Sequence, residues 1–181
     1  MNFIKEFLKK PRAVGAVAPS SKYLAEKMVE TIDFKRCNCI VEYGPGTGVF
    51  TEKLIARKDE DTLLLIFEVN KEFCEKLVAL YGHKKNVRII NEGAENVKKY
   101  LESYGIEKVS YIVSGLPFTV LPSHISDKIL RQTEDILEED GKFITFQYSL
   151  VKIDLFKDYF KEINTRKTIR NIPPAYVLEC S

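Results

Sequence analysis

Apolar residues recur along the chain with two alternating periods. Phe3, Ile4, Phe7 and Leu8 fall at helical spacing with lysines on the other side, which predicts an amphipathic helix over Asn2–Lys10 that Pro11 ends. Pro19, Ser20 and Ser21 then read as a helix start with one serine as the cap, and Leu24, Met28 and Ile32 mark its buried face. From Cys39 the period changes. Cys39–Tyr43 predicts a short buried strand that breaks into a glycine-rich turn, and Phe50–Ala56 starts a helix. The alternation continues: Leu63–Phe67 strand, Glu72–Tyr81 helix, Val87–Ile90 strand, Val97–Tyr104 helix, Val109–Val113 strand, Ile125–Leu137 helix. A fifth strand, Lys142–Tyr148, follows the turn residue Gly141. Strands and helices alternating at this spacing form β-α-β units, so an α/β fold with a mostly parallel sheet between two helical layers is expected. The tail departs from the pattern. Leu155–Phe160 reads as helical, but Thr165–Arg170 and Ala175–Cys180 read as successive strands, which predicts an antiparallel pair at one edge of a seven-stranded sheet.

A length of 181 residues suits one domain, with residues 1–35 as an amphipathic helix plus a lid or cap helix and residues 36–181 as the core. With 45% hydrophobic and 30% charged residues, disordered, collagen-like and mucin-like classes are excluded. The longest apolar run, Leu63–Phe67, falls far short of the roughly 18 residues of a membrane-spanning helix. Cys37, Cys39, Cys74 and Cys180 show no C-x-x-C spacing and follow no secretory leader, so a reducing cytoplasm is expected, with neither a disulfide framework nor a metal site. The net charge is +2, but residues 1–12 hold +3 and the other 169 residues hold −1. Such placement points to a local anionic partner rather than to a coat of nucleic acid.

Candidate chemistry begins at Glu42-Tyr43-Gly44-Pro45-Gly46-Thr47-Gly48. Glycines at every second position let the chain turn tightly from strand to helix and bring its N–H groups close to a ligand. The G-x-G-x-G spacing departs from the dinucleotide fingerprint G-x-G-x-x-G and counts against NAD. Glu68, with Val69 beside it, ends the second strand, where one carboxylate can accept hydrogen bonds from both hydroxyls of a ribose. Gly93-Ala94-Glu95 and Ser114-Gly115-Leu116-Pro117-Phe118 follow the third and fourth strands, where a doubly wound sheet places its ligand contacts.

These four segments resemble the class I S-adenosylmethionine-dependent methyltransferases. The resemblance implies a Rossmann-like three-layer sandwich that binds S-adenosylmethionine and releases S-adenosylhomocysteine. It implies cofactor contacts from Glu42, Tyr43, Gly44, Pro45, Gly46, Gly48, Glu68, Val69, Ala94, Glu95, Ser114 and Leu116. Methyltransferases that act on the exocyclic amine of adenine, the ribosomal RNA adenine dimethylases among them, usually open the fourth segment with Asn or Asp, whereas Ser114-Gly115 stands there in this chain.

The stretch Ser114–Phe118 is instead similar to the S-G-L-P segment of the bacterial phospholipid N-methyltransferases. So are Val14–Ser21 near the start and Arg170–Val177 near the end. That resemblance implies methyl transfer to the amine of an aminophospholipid such as phosphatidylethanolamine, by a cytoplasmic protein peripheral at the inner membrane face. It implies catalytic roles for Ser114, Gly115, Phe118 and Tyr148, and substrate contacts from Ser20, Ser21, Tyr23, Phe118, His124 and Arg170. Phe3, Ile4, Phe7 and Leu8, with Lys5, Lys9, Lys10 and Arg12, suit either docking on anionic head groups or a lid over the cofactor. Lys161, Arg166, Lys167 and Arg170 form a second basic cluster that can meet lipid phosphate. The alternatives are a ribosomal RNA adenine N-methyltransferase, with RNA as the partner, and an S-adenosylmethionine-binding protein without catalysis.

Overall fold

The computed structural model describes residues 21–181. The helix expected over Asn2–Lys10, together with Ser20, lies outside the described residues. Seven strands form one sheet in the order β3-β2-β1-β4-β5-β7-β6: β1 Cys39–Tyr43, β2 Leu63–Phe67, β3 Val87–Ile90, β4 Val109–Ser114, β5 Leu137–Gln147, β6 Ile163–Thr168 and β7 Ala175–Cys180. Strands β1 to β5 are parallel neighbours. The expected antiparallel pair occupies one edge, with β7 inserted between β5 and β6 and running against both.

The side-chain period of two divides the central strands between two cores. Cys39, Val41 and Tyr43 of β1, Leu65 and Phe67 of β2, Ile112 of β4 and Phe143 of β5 pack on one face. Ile40, Leu64, Ile66, Val113 and Ile144 pack on the other. With both faces covered, β2 reads as an unbroken apolar run, and β1 departs from one only at Glu42. The first face is covered by α4 Val97–Ser103, α5 Ser123–Ile136 and the single turn α6 Asp154–Lys157. The second is covered by α1 Lys22–Val29 and α2 Val49–Arg57, while α3 Lys71–Tyr81 packs beside β3. Leu24, Ala25, Met28 and Val29 of α1 are fully buried, so the cap helix belongs to the second core layer.

Helix starts follow local chemistry. Ser21 Oγ accepts the Leu24 N–H at 3.1 Å, which makes it the cap serine of α1. Asn70 Oδ1 accepts the Glu72 and Phe73 N–H groups at 2.9 and 3.3 Å and starts α3. The tail differs from the pattern in its boundaries. β6 begins two residues earlier than expected, because its register is set by pairing with β7, Ile163 opposite Cys180 and Thr168 opposite Ala175. β5 begins at Leu137, directly after α5: it pairs once with Val109, its register shifts over the exposed Glu139 and Asp140, and it resumes at Lys142 opposite Tyr111. The four cysteines are free and buried, as small core residues.

Phe143 lies at the centre of the first core, its ring 5.9 Å from Phe118, 6.3 Å from Phe156 and 5.5 Å from Phe160. Phe143→Ala is expected to destabilise the fold by about 3–5 kcal/mol. A lower urea midpoint at unchanged slope is the measurement that checks it.

Candidate active site

Strand order reverses between β1 and β4, so the loops leaving their carboxyl ends flank the crevice where ligands of doubly wound sheets bind. The two loops touch through their backbones. The Gly115 N–H donates to the Tyr43 carbonyl at 2.8 Å, and a Cβ on Gly115 would stand 2.6 Å from the Gly44 carbonyl oxygen. Gly44 itself, at φ +60°, leaves no room for a Cβ beside Leu116. Gly46 differs. Its φ is +56°, yet a Cβ there would meet no protein atom within 4 Å, so this part of the loop faces open space. The turn closes with the Gly48 N–H on the Pro45 carbonyl at 3.0 Å, and Gly48 is the left-handed cap of α2. The result is a backbone cradle at the positive end of a helix.

Two carboxylates stand behind the cradle. Glu68 is buried; its Oε2 accepts the Gly46 N–H at 3.0 Å and its Oε1 accepts the Asn70 N–H at 2.8 Å. Burial raises its pKa, and the backbone N–H groups of Asn70 and Gly46 oppose the rise. Glu68 thus clamps the glycine loop while each oxygen keeps a further lone pair for a ribose hydroxyl. Glu42 is fully buried: Oε2 accepts the Thr51 hydroxyl at 2.8 Å, and Oε1 has no partner among the described residues. Burial pushes its pKa up to about 8, against the Thr51 hydrogen bond and with a further push from the charge of Glu68.

Of the other expected cofactor contacts, Val69 and Ala94 are buried after β2 and β3. The Glu95 side chain folds back over Gly93, with Oε2 buried and unpartnered. Tyr43 offers the loop only its backbone. Its ring lies in the first core, edge-on to Phe67, and its hydroxyl accepts from Thr133 at 3.4 Å. Leu116 is buried against Gly44.

The acceptor residues separate by face. Ser114 is fully buried, and its Oγ accepts the Leu116 N–H at 3.2 Å, closing its own turn. Its carbonyl accepts the Thr145 hydroxyl at 3.3 Å. Phe118, a candidate both for facing the reacting amine and for filling the pocket wall, is buried. Its ring packs edge-on to Phe143 and Phe156 in the first core, where burial of a large apolar ring is most favourable. His124 is exposed on the first turn of α5.

On the second face Phe50 lies against Gly115, Phe146 lies edge-on to Phe50 at 5.9 Å, and Tyr148 lies edge-on to Phe146 at 5.6 Å. Tyr148 is half-buried; burial raises the pKa of its hydroxyl, and the neighbouring Asn171 side chain opposes the rise. Asn171, buried, accepts the Ser21 N–H at 3.1 Å and donates to the Pro173 carbonyl at 2.7 Å. Arg170 lies over the Tyr23 ring at 5.3 Å. Ser21, Tyr23, Tyr148 and Arg170 are therefore brought together, around an asparagine that pattern alone did not single out. The basic cluster does not stay together, since Arg166 turns to Glu30 and Glu179. The sequence pattern gives Phe50 only as a helix residue, and Thr51 and Thr145 carry no signal in it. Asn171 carries one, as a lone amide in a proline-rich turn between isoleucines.

No protein-family model matches the chain. An ornithine lipid N-methyltransferase of Singulisphaera acidiphila is 27% identical over 180 residues, covering 98% of this chain and 93% of the relative. Ribosomal RNA small subunit methyltransferase A of Borreliella burgdorferi is 32% identical over 142 residues, which are 75% of this chain and 47% of the relative, so the chain spans about half of that protein. Among solved structures, a 16S rRNA N2 G1207 methyltransferase from T. thermophilus, in complex with AdoMet and guanosine, superposes with a TM-score of 0.67 at 17% identity. That match covers 93% of this chain and 44% of the other. The folds correspond.

Gly46→Ala is expected to cost about 1–2 kcal/mol of stability, the strain of a left-handed non-glycine residue. It should weaken S-adenosylmethionine binding at least about tenfold in calorimetry, because the added methyl enters the open cradle. Glu42 has a second signature. Its folded-state pKa lies above the ordinary value, so the folded protein binds the extra proton, and stability falls as pH rises from 4.5 to about 8. Urea midpoints across that window should decline for the wild type without cofactor and decline less for Glu42→Gln.

Proposed function

We propose that this chain, an S-adenosylmethionine-dependent methyltransferase of the class I fold, transfers methyl to the amine of a lipid head group. Phosphatidylethanolamine and an ornithine lipid present the same chemistry, a primary amine on the polar head of an acylated lipid. The observation that carries the reading is the relationship to an ornithine lipid N-methyltransferase over 98% of this chain and 93% of that one. It extends through both terminal segments, of which Ser21 and Asn171 are hydrogen-bonded beside Tyr148.

The residues present fit the cofactor. Gly46 opens toward the crevice, Glu68 stands at the tip of β2 with lone pairs to spare, and Glu42 Oε1 awaits a partner. Bound there, S-adenosylmethionine supplies an electrophilic methyl group. The chain's own part is to hold an unprotonated amine in line with it. A carbonyl at Ser114 or Gly115 can accept an amine hydrogen. The Ser114 carbonyl already takes the Thr145 hydroxyl, so Gly115 is the freer of the two. The Tyr148 hydroxyl, kept protonated by burial, accepts a second amine hydrogen. Phe50 and Phe146, edge-on to each other at 5.9 Å, give this face an apolar lining that would favour the neutral amine over the ammonium. Most of the rate then comes from alignment.

Residues 1–12 add a basic, amphipathic stretch suited to anionic head groups, consistent with a protein that works on the cytoplasmic face of a membrane. A second reading, adenine N-methylation of ribosomal RNA, draws on the 32% identity to ribosomal RNA small subunit methyltransferase A. Against it, Ser114 replaces the usual Asn or Asp and turns its hydroxyl inward.

Labelled methyl donor offered with vesicles of phosphatidylethanolamine or ornithine lipid, and separately with small-subunit ribosomal RNA, is expected to label lipid and leave RNA unlabelled. Label on RNA alone would overturn the lipid reading, and cofactor binding without turnover on any acceptor would mark a non-catalytic protein. Tyr148→Phe is expected to lower kcat about tenfold with cofactor affinity unchanged, the loss of one hydrogen bond made to the reacting amine.

A further inference from the structure

We propose that the turn joining β6 to β7, residues 169–174, is an insertion tip that seats the acceptor site on the surface of an anionic bilayer. The proposal rests on the lipid reading and gives it a surface and an orientation. Ile169 and Ile172 on this turn are 74% and 84% exposed, and Val151, on the turn after β5, is 86% exposed. Tyr23, at the start of α1, is 54% exposed and lies under Arg170. β5, β7 and β6 are neighbours, and the β6–β7 turn lies at the carboxyl end of β5. Both turns therefore leave the same end of the sheet as the glycine loop and Ser114. Large apolar side chains held in water beside a ligand site mark a surface that something else covers.

Charge says what covers it. From Ile163 to Leu178 the chain carries Arg166, Lys167 and Arg170 and no acidic residue. Arg166 is taken by Glu30 and Glu179. Lys167 and Arg170 instead lie over the rings of Tyr176 and Tyr23, at 5.5 and 5.3 Å, and make no ion pair among the described residues. Isoleucines at the tip, tyrosines behind them and uncompensated cations beside the tyrosines reproduce the layering of a bilayer surface: acyl boundary, head groups, phosphates. Asn171 sits between Arg170 and Ile172 and reaches inward to Ser21 and Tyr148. Insertion of the tip thereby sets Tyr148 near the head-group plane, where an amine can enter while its acyl chains stay in the membrane.

Sedimentation of the full chain with vesicles of phosphatidylcholine and phosphatidylglycerol in equal parts tests the proposal. The wild type should bind, and the double variant Ile169→Ser, Ile172→Ser should bind at least about tenfold more weakly. Leu80→Ser, at a comparably exposed position on α3, should bind like the wild type. Methylation of a short-chain aminolipid held below its micelle concentration should be the same in the double variant and the wild type. Equal vesicle binding by the double variant, or none by the wild type, overturns the proposal. So does a wild-type dimer that the double variant dissolves without any vesicle binding, since the turn would then meet a second copy. Tip-dependent binding without methylation of any lipid leaves the docking surface standing and removes the lipid substrate.

Discussion

The contact of Gly115 with the carbonyl of Gly44 is the constraint on which the site depends. It joins the loops after β1 and β4 at the reversal of strand order, and no side chain at residue 115 can be accommodated without moving one of them. Glu68 then ties the glycine loop to the end of β2 through the Gly46 N–H. Three strand ends are thus locked to one another by backbone groups, and the crevice they leave is shaped before a ligand enters. Preorganisation of this kind removes the ordering cost from the binding step and leaves alignment as the main source of rate.

The same constraint accounts for the departure from the adenine-directed pattern. Glycine at residue 115 follows from the backbone approach, and Ser114 spends its hydroxyl on the Leu116 N–H. Neither offers a side chain to a flat base. On the second face of the sheet Phe50, Phe146 and Tyr148 form an edge-to-face series that ends at Asn171, and this is the face that the proposed function assigns to the acceptor.

Buried carboxylates behind a glycine cradle carry an energetic cost in the absence of ligand. Glu42 is held away from water with one oxygen unpartnered among the described residues, so its ionisation opposes folding, and either a proton or a nearby positive group relieves that cost. Stability and affinity for a cationic ligand are therefore linked through one side chain.

Much of this could be read from the chain before any coordinates. β1, β2, β3 and β7 fall where the sequence pattern placed them, most plainly β2, whose burial on both faces leaves an unbroken apolar signature. Gly44, Gly46 and Glu68 were legible because a tight turn at a strand end tolerates few residue types. What only the tertiary structure decided lies between elements distant in sequence. The face on which Phe118 packs, the meeting of Ser21 with Asn171 across 150 positions, the diversion of Arg166 to Glu30 and the start of β6 all depend on which strand lies beside which. Periodicity is a property of neighbours along the chain and carries the local conformation. The partner of a side chain across the sheet is fixed by strand order, which no local pattern encodes.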